Sequence, residues 1–356
     1  MSVLVQYPGT KTYRLAVLPL ILQLAFTAVT TIDYDISANP SLVSAPAMLV
    51  IVMRTSGWTI EDMHLQRDRF GWPAYSPTSD LLSLKRTLWD ALDLMVNLRN
   101  IGWVPGGKPR ADMNCSKTTR TTFLFTAVLR TLIFAIAFDV AVTLLRYLRP
   151  DGLPPGSTIF DDSQPLALSY MRAALLTHVS LFAGFAFMSL LYTCIAFFAV
   201  LLLRHVPDQW PPLFDAPWRS TSLRELWGRR WHQLFRELFI SLGARPSNRL
   251  FGRPTGILGA FLVSAALHDV RLREMGEGVD LRVTYGFFVF NGLAVIVEVE
   301  WKERMRRDIG GWAGWIWTAV IFTGSWCFLM DGCVKAGLLD TSQVQRVSDT
   351  FLRTYF

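Results

Sequence analysis

Two stretches hold residue types able to do chemistry. The first is Ser222-Leu-Arg-Glu-Leu-Trp-Gly-Arg-Arg-Trp-His-Gln233. The spacing predicts an amphipathic helix over 223–242. It turns Leu223, Leu226, Trp227, Arg230, Trp231, Leu234 and Leu238 to one side, and Glu225, Arg229, His232 and Arg236 to another. Ser222 with Glu225 reads as a capping box at its start. An arginine fork matches phosphate oxygens, whether on a lipid headgroup or on a diphosphate-bearing cosubstrate. The second stretch is Phe261-Leu-Val-Ser-Ala-Ala-Leu-His268-Asp269. A histidine ending an apolar run is costly without a partner or a task. A desolvated imidazole is held neutral, which suits a general base. A structural histidine would read the same way on these residues alone. Asp269 is adjacent in sequence and need not face His268 on a helix.

The elements that must position these residues are apolar blocks. Of the 356 residues, 51% are hydrophobic, and they gather in blocks instead of following a surface period, which is the mark of a membrane protein. The blocks run over 15–32, 42–53, 123–148, 175–203, 256–270, 283–299 and 312–333. The block at 42–53 is short and contains Pro46. The resulting fold class is an all-α integral membrane protein with about seven transmembrane helices plus interfacial amphipathic helices, in one domain over 1–356. Leu81, Leu84, Leu88, Leu92 and Met95 recur at helical spacing and predict an interfacial helix over 81–96. Arg130 and Asp139 fall inside the 123–148 block and are expected to face the protein interior or a wet cavity. Lys and Arg concentrate before residue 15 and in 54–122, 204–254 and 301–311. That bias favours a cytosolic N-terminus, with 54–122 and 204–254 as cytosolic interfacial segments.

Several function classes fall away. The net charge of +7 lies between the apolar blocks, where topology and anionic headgroups account for it, so nucleic acid is not a partner. Cys115, Cys194, Cys327 and Cys333 form no C-x-x-C pair, which argues against a disulfide framework or a zinc site. There is no G-x-S-x-G for a serine hydrolase. Magnesium-diphosphate chemistry would want aspartate-rich motifs; the candidates, Asp90 with Asp93 and Asp161-Asp162, read as solvated. No internal symmetry of the transporter kind is visible.

Trp227-Gly-Arg-Arg-Trp-His-Gln233, followed thirty-six positions after His232 by His268 in Ser-Ala-Ala-Leu-His, resembles the wax-synthase branch of the membrane-bound O-acyltransferases (MBOAT). That branch includes plant and fungal wax-synthase-like enzymes and fungal acetyltransferases acting on terpenoids and meroterpenoids. The resemblance covers about residues 75 to 300. It includes Leu98-Arg-Asn-Ile-Gly-Trp103, where the family often has Arg-Gly-Ile-Gly-Trp, so Asn100 departs from a glycine. The resemblance implies that His268 is the catalytic residue, with His232 as the second polar residue. Trp227, Arg229, Arg230, Trp231, Gln233, Arg236 and Asp269 are then expected to contact substrate or CoA, although the family often has Glu where Asp269 stands. It further implies an endoplasmic reticulum membrane, no metal and no permanently bound cofactor. The co-substrate is acyl-CoA, with acetyl-CoA favoured, and the acceptor is a hydrophobic small-molecule alcohol among membrane lipids. Two alternatives stay open: a terpenoid cyclase or isomerase using the same acid–base residues, and a wax synthase acting on long-chain alcohols.

Overall fold

The computed structural model describes residues 1–31, 44–61, 64–67, 83–105, 118–148, 156–275 and 278–337. The described residues are all-α apart from one small two-stranded sheet. Helices α1 (Lys11–Thr31), α2 (Ser44–Ile60), α3 (Ser83–Val96), α4 (Arg120–Leu148) and α5 (Leu166–Leu202) precede the motif segment. The motif segment opens with α6 (Leu223–Glu225). Short α7 (Arg236–Phe239) and α8 (Arg245–Phe251) lead to α9 (Arg253–Met275), α10 (Leu281–Met305) and α11 (Gly311–Lys335). Among the described residues, 5 helices are long and apolar enough to cross a membrane: α4, α5, α9, α10 and α11. The blocks expected at 15–32 and 42–53 also fold as helices, in α1 and α2. Cys115 lies outside the described residues.

The chain gathers into two compact units, with a boundary inside α9 between Leu267 and His268. The first contains Met1–Arg120, Arg204–Pro212 and His232–Leu267. Here α1 packs on α2 and turns Leu20, Leu24 and Phe26 outward. Strand β1 (Leu65–Arg67) pairs antiparallel with β2 (Trp103–Pro105). Val5, Trp58, Leu94 and, from the two strands, Leu65 and Trp103 form a core. Helix α3 buries Ala91, Asp93 and Leu94, while Leu88, Leu92 and Met95 of its apolar stripe are exposed, as a helix lying on a lipid surface would present them. The acidic pair on this helix serves structure: Arg67 ion-pairs with Asp90, and Asp93 accepts the Trp103 indole N–H at 2.7 Å.

The loop Leu98-Arg-Asn-Ile-Gly-Trp103 has Asn100 at φ +51° and Gly102 at φ +79°. Asparagine is one of the few non-glycine residues that tolerates the left-handed region, which explains how it can occupy a position where a glycine was the expected residue. Its side chain also adds something glycine lacks, because Asn100 Oδ1 accepts from the buried Arg54 guanidinium at 2.6 Å, beside an Arg54 bond to Asn97 O at 2.7 Å. Asn100→Gly is expected to cost about 1 kcal/mol, the lost hydrogen bond alone. Asn100→Val adds left-handed strain of roughly 1–2 kcal/mol and melts correspondingly lower in a detergent-solubilised thermal denaturation.

The second unit contains Thr121–Leu203, Leu213–Trp231 and His268–Phe356. Helix α5 buries a run of small residues, including Ala173, Ala183, Ala186, Ser189 and Ala196, so that backbones approach closely, as membrane helices require. It packs on α11, and α11 packs on α10. The rings of Phe134 and Phe185, 5.9 Å apart, join α4 to α5. Asp161 takes Arg172 and the Ser163 hydroxyl, so it too is occupied by its own neighbours. Arg130 and Asp139 are both exposed on α4, contrary to the expectation that they face inward. Nine residues apart at about 100° per residue, they project to opposite sides of the helix and cannot pair with one another.

Candidate active site

The motif segment starts in the second unit with a cap. Ser222 Oγ accepts the Glu225 N–H at 3.0 Å, as the capping box predicts. The reciprocal bond differs: Glu225 Oε2 accepts from Thr221 N at 2.9 Å, one residue earlier than the motif expects. The first-turn donors go instead to a distant carboxylate. Leu223 N donates to Glu298 Oε1 at 2.7 Å and Arg224 N to Glu298 Oε2 at 2.8 Å.

The predicted continuous helix over 223–242 does not form. Helix α6 passes at once into a π-helical stretch, Leu226–Arg230, which ends as Trp231 turns extended. The Arg230 carbonyl accepts from Asp215 N at 2.9 Å instead of continuing the helix. A second π-helical stretch follows α7 over Ile240–Ala244. The stripe of Glu225, Arg229, His232 and Arg236 is therefore split by the turn at Trp231, and its residues divide between the units. A helical wheel assumes a constant 100° step, and the wider π turn removes it.

In the second unit, Arg230 donates to Glu225 Oε1 at 2.7 Å and to Asp215 O at 3.0 Å, while Arg229, largely exposed, donates to Asp215 Oδ2 at 3.1 Å. Burial raises the Glu225 pKa, but the Thr221 N–H and Arg230 outweigh it and hold the carboxyl below its ordinary value of 4.5. A depressed folded-state pKa contributes stability above the ordinary value, and that stability is lost as pH falls through the folded one. The melting-temperature gap between the protein and Glu225→Gln is therefore expected to be constant above about pH 5.5 and to close in more acidic buffer.

An aromatic cluster links this segment to His268. The His268 ring lies 4.8 Å from Phe288, Phe288 is 5.0 Å from Phe287, and Phe287 is 6.2 Å from Trp227 and 4.9 Å from Trp326. Trp231 joins through Trp227, Phe322 and Trp326. Trp227 is oriented by its indole N–H, which donates to fully buried Asn291 Oδ1 at 3.2 Å. Beside His268, Asp269 is buried, and its Oδ2 accepts from Arg273 at 2.9 Å one helical turn on. The second unit thus contains His268, Asp269, Trp227, Arg229, Arg230 and Trp231, and its aromatic cluster links His268 to the two tryptophans, while the two arginines turn to Asp215 and Glu225.

The first unit holds the other three predicted residues. His232 is half-buried, its ring edge-on to Phe235 at 6.4 Å. Gln233 is half-buried, and Arg236 is exposed at the start of α7. Phe235 and Leu238 pack with Met53 and Leu267.

Residues 210–290 match the membrane bound O-acyl transferase family model. The match takes in every candidate site residue, from Trp227 to Asp269. The chain is similar to wax-synthase-like acyltransferases, as its motif implies. It is 31% identical over 134 residues to a long-chain-alcohol O-fatty-acyltransferase of Simmondsia chinensis, covering 33% of this chain and 37% of that protein. It is 27% identical over 279 residues to the O-Mevalon transferase yanI of Aspergillus niger, covering 68% of this chain and 60% of that one. With the acetyltransferase eriL of Hericium erinaceus it shares 25% identity over 282 residues, 74% of this chain and 71% of the relative. The chain thus spans between one third and two thirds of the first two of these relatives.

The motif reading passed over Asn291 and Glu298, which hold the motif segment from just beyond the matched residues. Their signal was present: Thr284, Asn291 and Glu298 are polar residues seven apart inside an apolar block, on one face of α10, and all three are buried.

Proposed function

We propose that this protein is an acyl-CoA-dependent membrane O-acyltransferase that esterifies a hydroxyl on a hydrophobic acceptor. The observation that carries the proposal is the half-buried His268, set on a candidate membrane span against Phe288 and joined through aromatic rings to the Trp-Gly-Arg-Arg-Trp segment. In this reading His268 takes the acceptor hydroxyl proton, and the alkoxide oxygen attacks the thioester carbonyl. The carbon–sulfur bond then breaks, and the CoA thiolate leaves and recovers the proton from the imidazolium. Positioning and oxyanion stabilisation lower the barrier. His232, the second polar residue implied by the resemblance, is assigned to donate to that oxyanion or to orient the acyl carbonyl. The exposed guanidinium of Arg229, with Arg236, supplies phosphate contacts, while Arg230, Trp227, Trp231, Gln233 and Asp269 shape the surroundings.

The finer assignments follow the acetyltransferase relatives: acetyl as the acyl group and a terpenoid or meroterpenoid alcohol as the acceptor, in the endoplasmic reticulum. Helices α1 and α2, added to the five longer apolar helices, give a seven-span layout with a cytosolic N-terminus in one acyltransferase domain. The exposed Leu20, Leu24 and Phe26 of α1 support it, as lipid contacts.

The experiment incubates microsomes carrying the protein with labelled acetyl-CoA or palmitoyl-CoA and a panel of terpenoid and fatty alcohols, read by mass spectrometry. Label in an ester supports the proposal, and the preferred donor fixes the acyl length. Product formed without any CoA donor would replace it with a cyclase or isomerase.

A further inference from the structure

The donors around Glu298 set it apart from the other carboxylates of the second unit. It is buried at 4% exposure in α10, and its two oxygens take three N–H donors: Leu223 N at 2.7 Å, Arg224 N at 2.8 Å and the Trp317 indole at 2.9 Å. A buried carboxylate is expensive unless such donors compensate it, and a carboxylate only accepts. Leu223 and Arg224 are the first two residues of the helical stretch that becomes Leu226–Arg230, where no intrahelical partner exists for their N–H groups. Two turns away along α10, Asn291 holds Trp227 in the same stretch. Polar side chains from one face of a membrane helix thus grip the motif segment at two points.

We infer that Glu298 is a positioning residue: it fixes the start of the Trp-Gly-Arg-Arg-Trp segment, and with it the angle at which Arg229 is presented to acyl-CoA. The CoA part rests on the acyl-transfer reading above. Glutamine is the discriminating replacement. It keeps the size, but its amide NH₂ confronts at least one of the three donors, so the segment loses a hydrogen bond and gains a donor–donor clash.

The test compares the full-length protein with Glu298→Gln and with Val299→Ala, a buried apolar neighbour on α10 with no polar side-chain atom to offer the motif segment. Two readouts are taken: the rate of tryptic cleavage after Arg229 and Arg230 in detergent, and the KM for acyl-CoA against kcat and the acceptor KM. Glu298→Gln is expected to raise the cleavage rate and the acyl-CoA KM at least tenfold, with the acceptor KM within about twofold. Val299→Ala is expected to lower the melting temperature without moving either quantity. If Glu298→Gln does not accumulate, Trp317→Phe, which removes a single donor, is expected to shift both readouts in the same direction by a smaller factor. Cleavage and KM unchanged relative to Val299→Ala overturn the inference. Faster cleavage with an unchanged acyl-CoA KM overturns its CoA part. If the parent protein makes no ester from any donor, the acyl-transfer reading falls, and the cleavage rate alone decides whether Glu298 positions the segment.

Discussion

Replacing His268 with alanine is expected to lower ester formation by roughly 10²–10⁴-fold, the range a positioned general base contributes, while the protein still reaches the membrane folded. The imidazole is half-buried against Phe288 on the α9 helix, so its removal loses that aromatic contact while alanine, a good helix former, keeps the helix. His268→Phe sharpens the result. It restores a ring for Phe288 to pack against but offers no nitrogen, so it should melt closer to the parent while remaining equally inactive. Activity that returns with phenylalanine would mean the position fills space, and the base would have to be sought elsewhere. Asp269→Asn separates the neighbouring carboxylate. Its Oδ2 already serves Arg273, so a loss far smaller than for His268 is expected, visible first as a lower melting temperature. Labelled ester formation and thermal denaturation on the same preparations decide all three.

Much of this arrangement could be read from residue order, and its failures have physical causes. Apolar blocks at helical length specify α4, α5, α9, α10 and α11, because a backbone in hydrocarbon must satisfy its own hydrogen bonds. The Ser222 cap was also legible, since it depends on residues three apart. The 223–242 segment was not. Its turn at Trp231 depends on Asp215 N reaching the Arg230 carbonyl and on Glu298 gripping the first turn, partners fifteen or more residues away. Periodicity carries no information about such partners. Nor did the order of residues show that Arg230, expected to contact substrate or CoA, is held by Glu225 and Asp215. Glu298 lay within reach of sequence reasoning, because a polar stripe at seven-residue spacing in an apolar block needs a reason. Its function depends on where α6 packs, which the stripe alone does not say.

The largest structural effect is expected at Gly243. A Cβ built there would sit 2.2 Å from the Gly259 carbonyl oxygen, and a Cβ on Gly259 would sit 2.6 Å from the Gly243 oxygen. The obstacle on both sides is backbone, which cannot rotate away as a side chain would. The π-helical stretch Ile240–Ala244 therefore meets α9 at a crossing where neither chain has room for a methyl group, the close approach that paired small residues permit in membranes. Gly243→Ala should cost about 1–3 kcal/mol, the range for overpacking a tight interior, and Gly243→Val more. At roughly 2–4 °C per kcal/mol for a chain of this size, alanine lowers the melting temperature by several degrees, and valine is expected to prevent accumulation. Gly184→Ala is the matched control. On α5 a Cβ there meets nothing within 4 Å, and alanine is the better helix former, so that variant should be neutral or slightly stabilised. Gly259 lies nine residues before His268 on the same helix, so a push at the crossing acts on the helix that carries the proposed base. Gly243→Ala is thus expected to lose more activity than its fall in folded fraction explains. If activity only follows folded fraction, the crossing supports stability without setting the placement of His268.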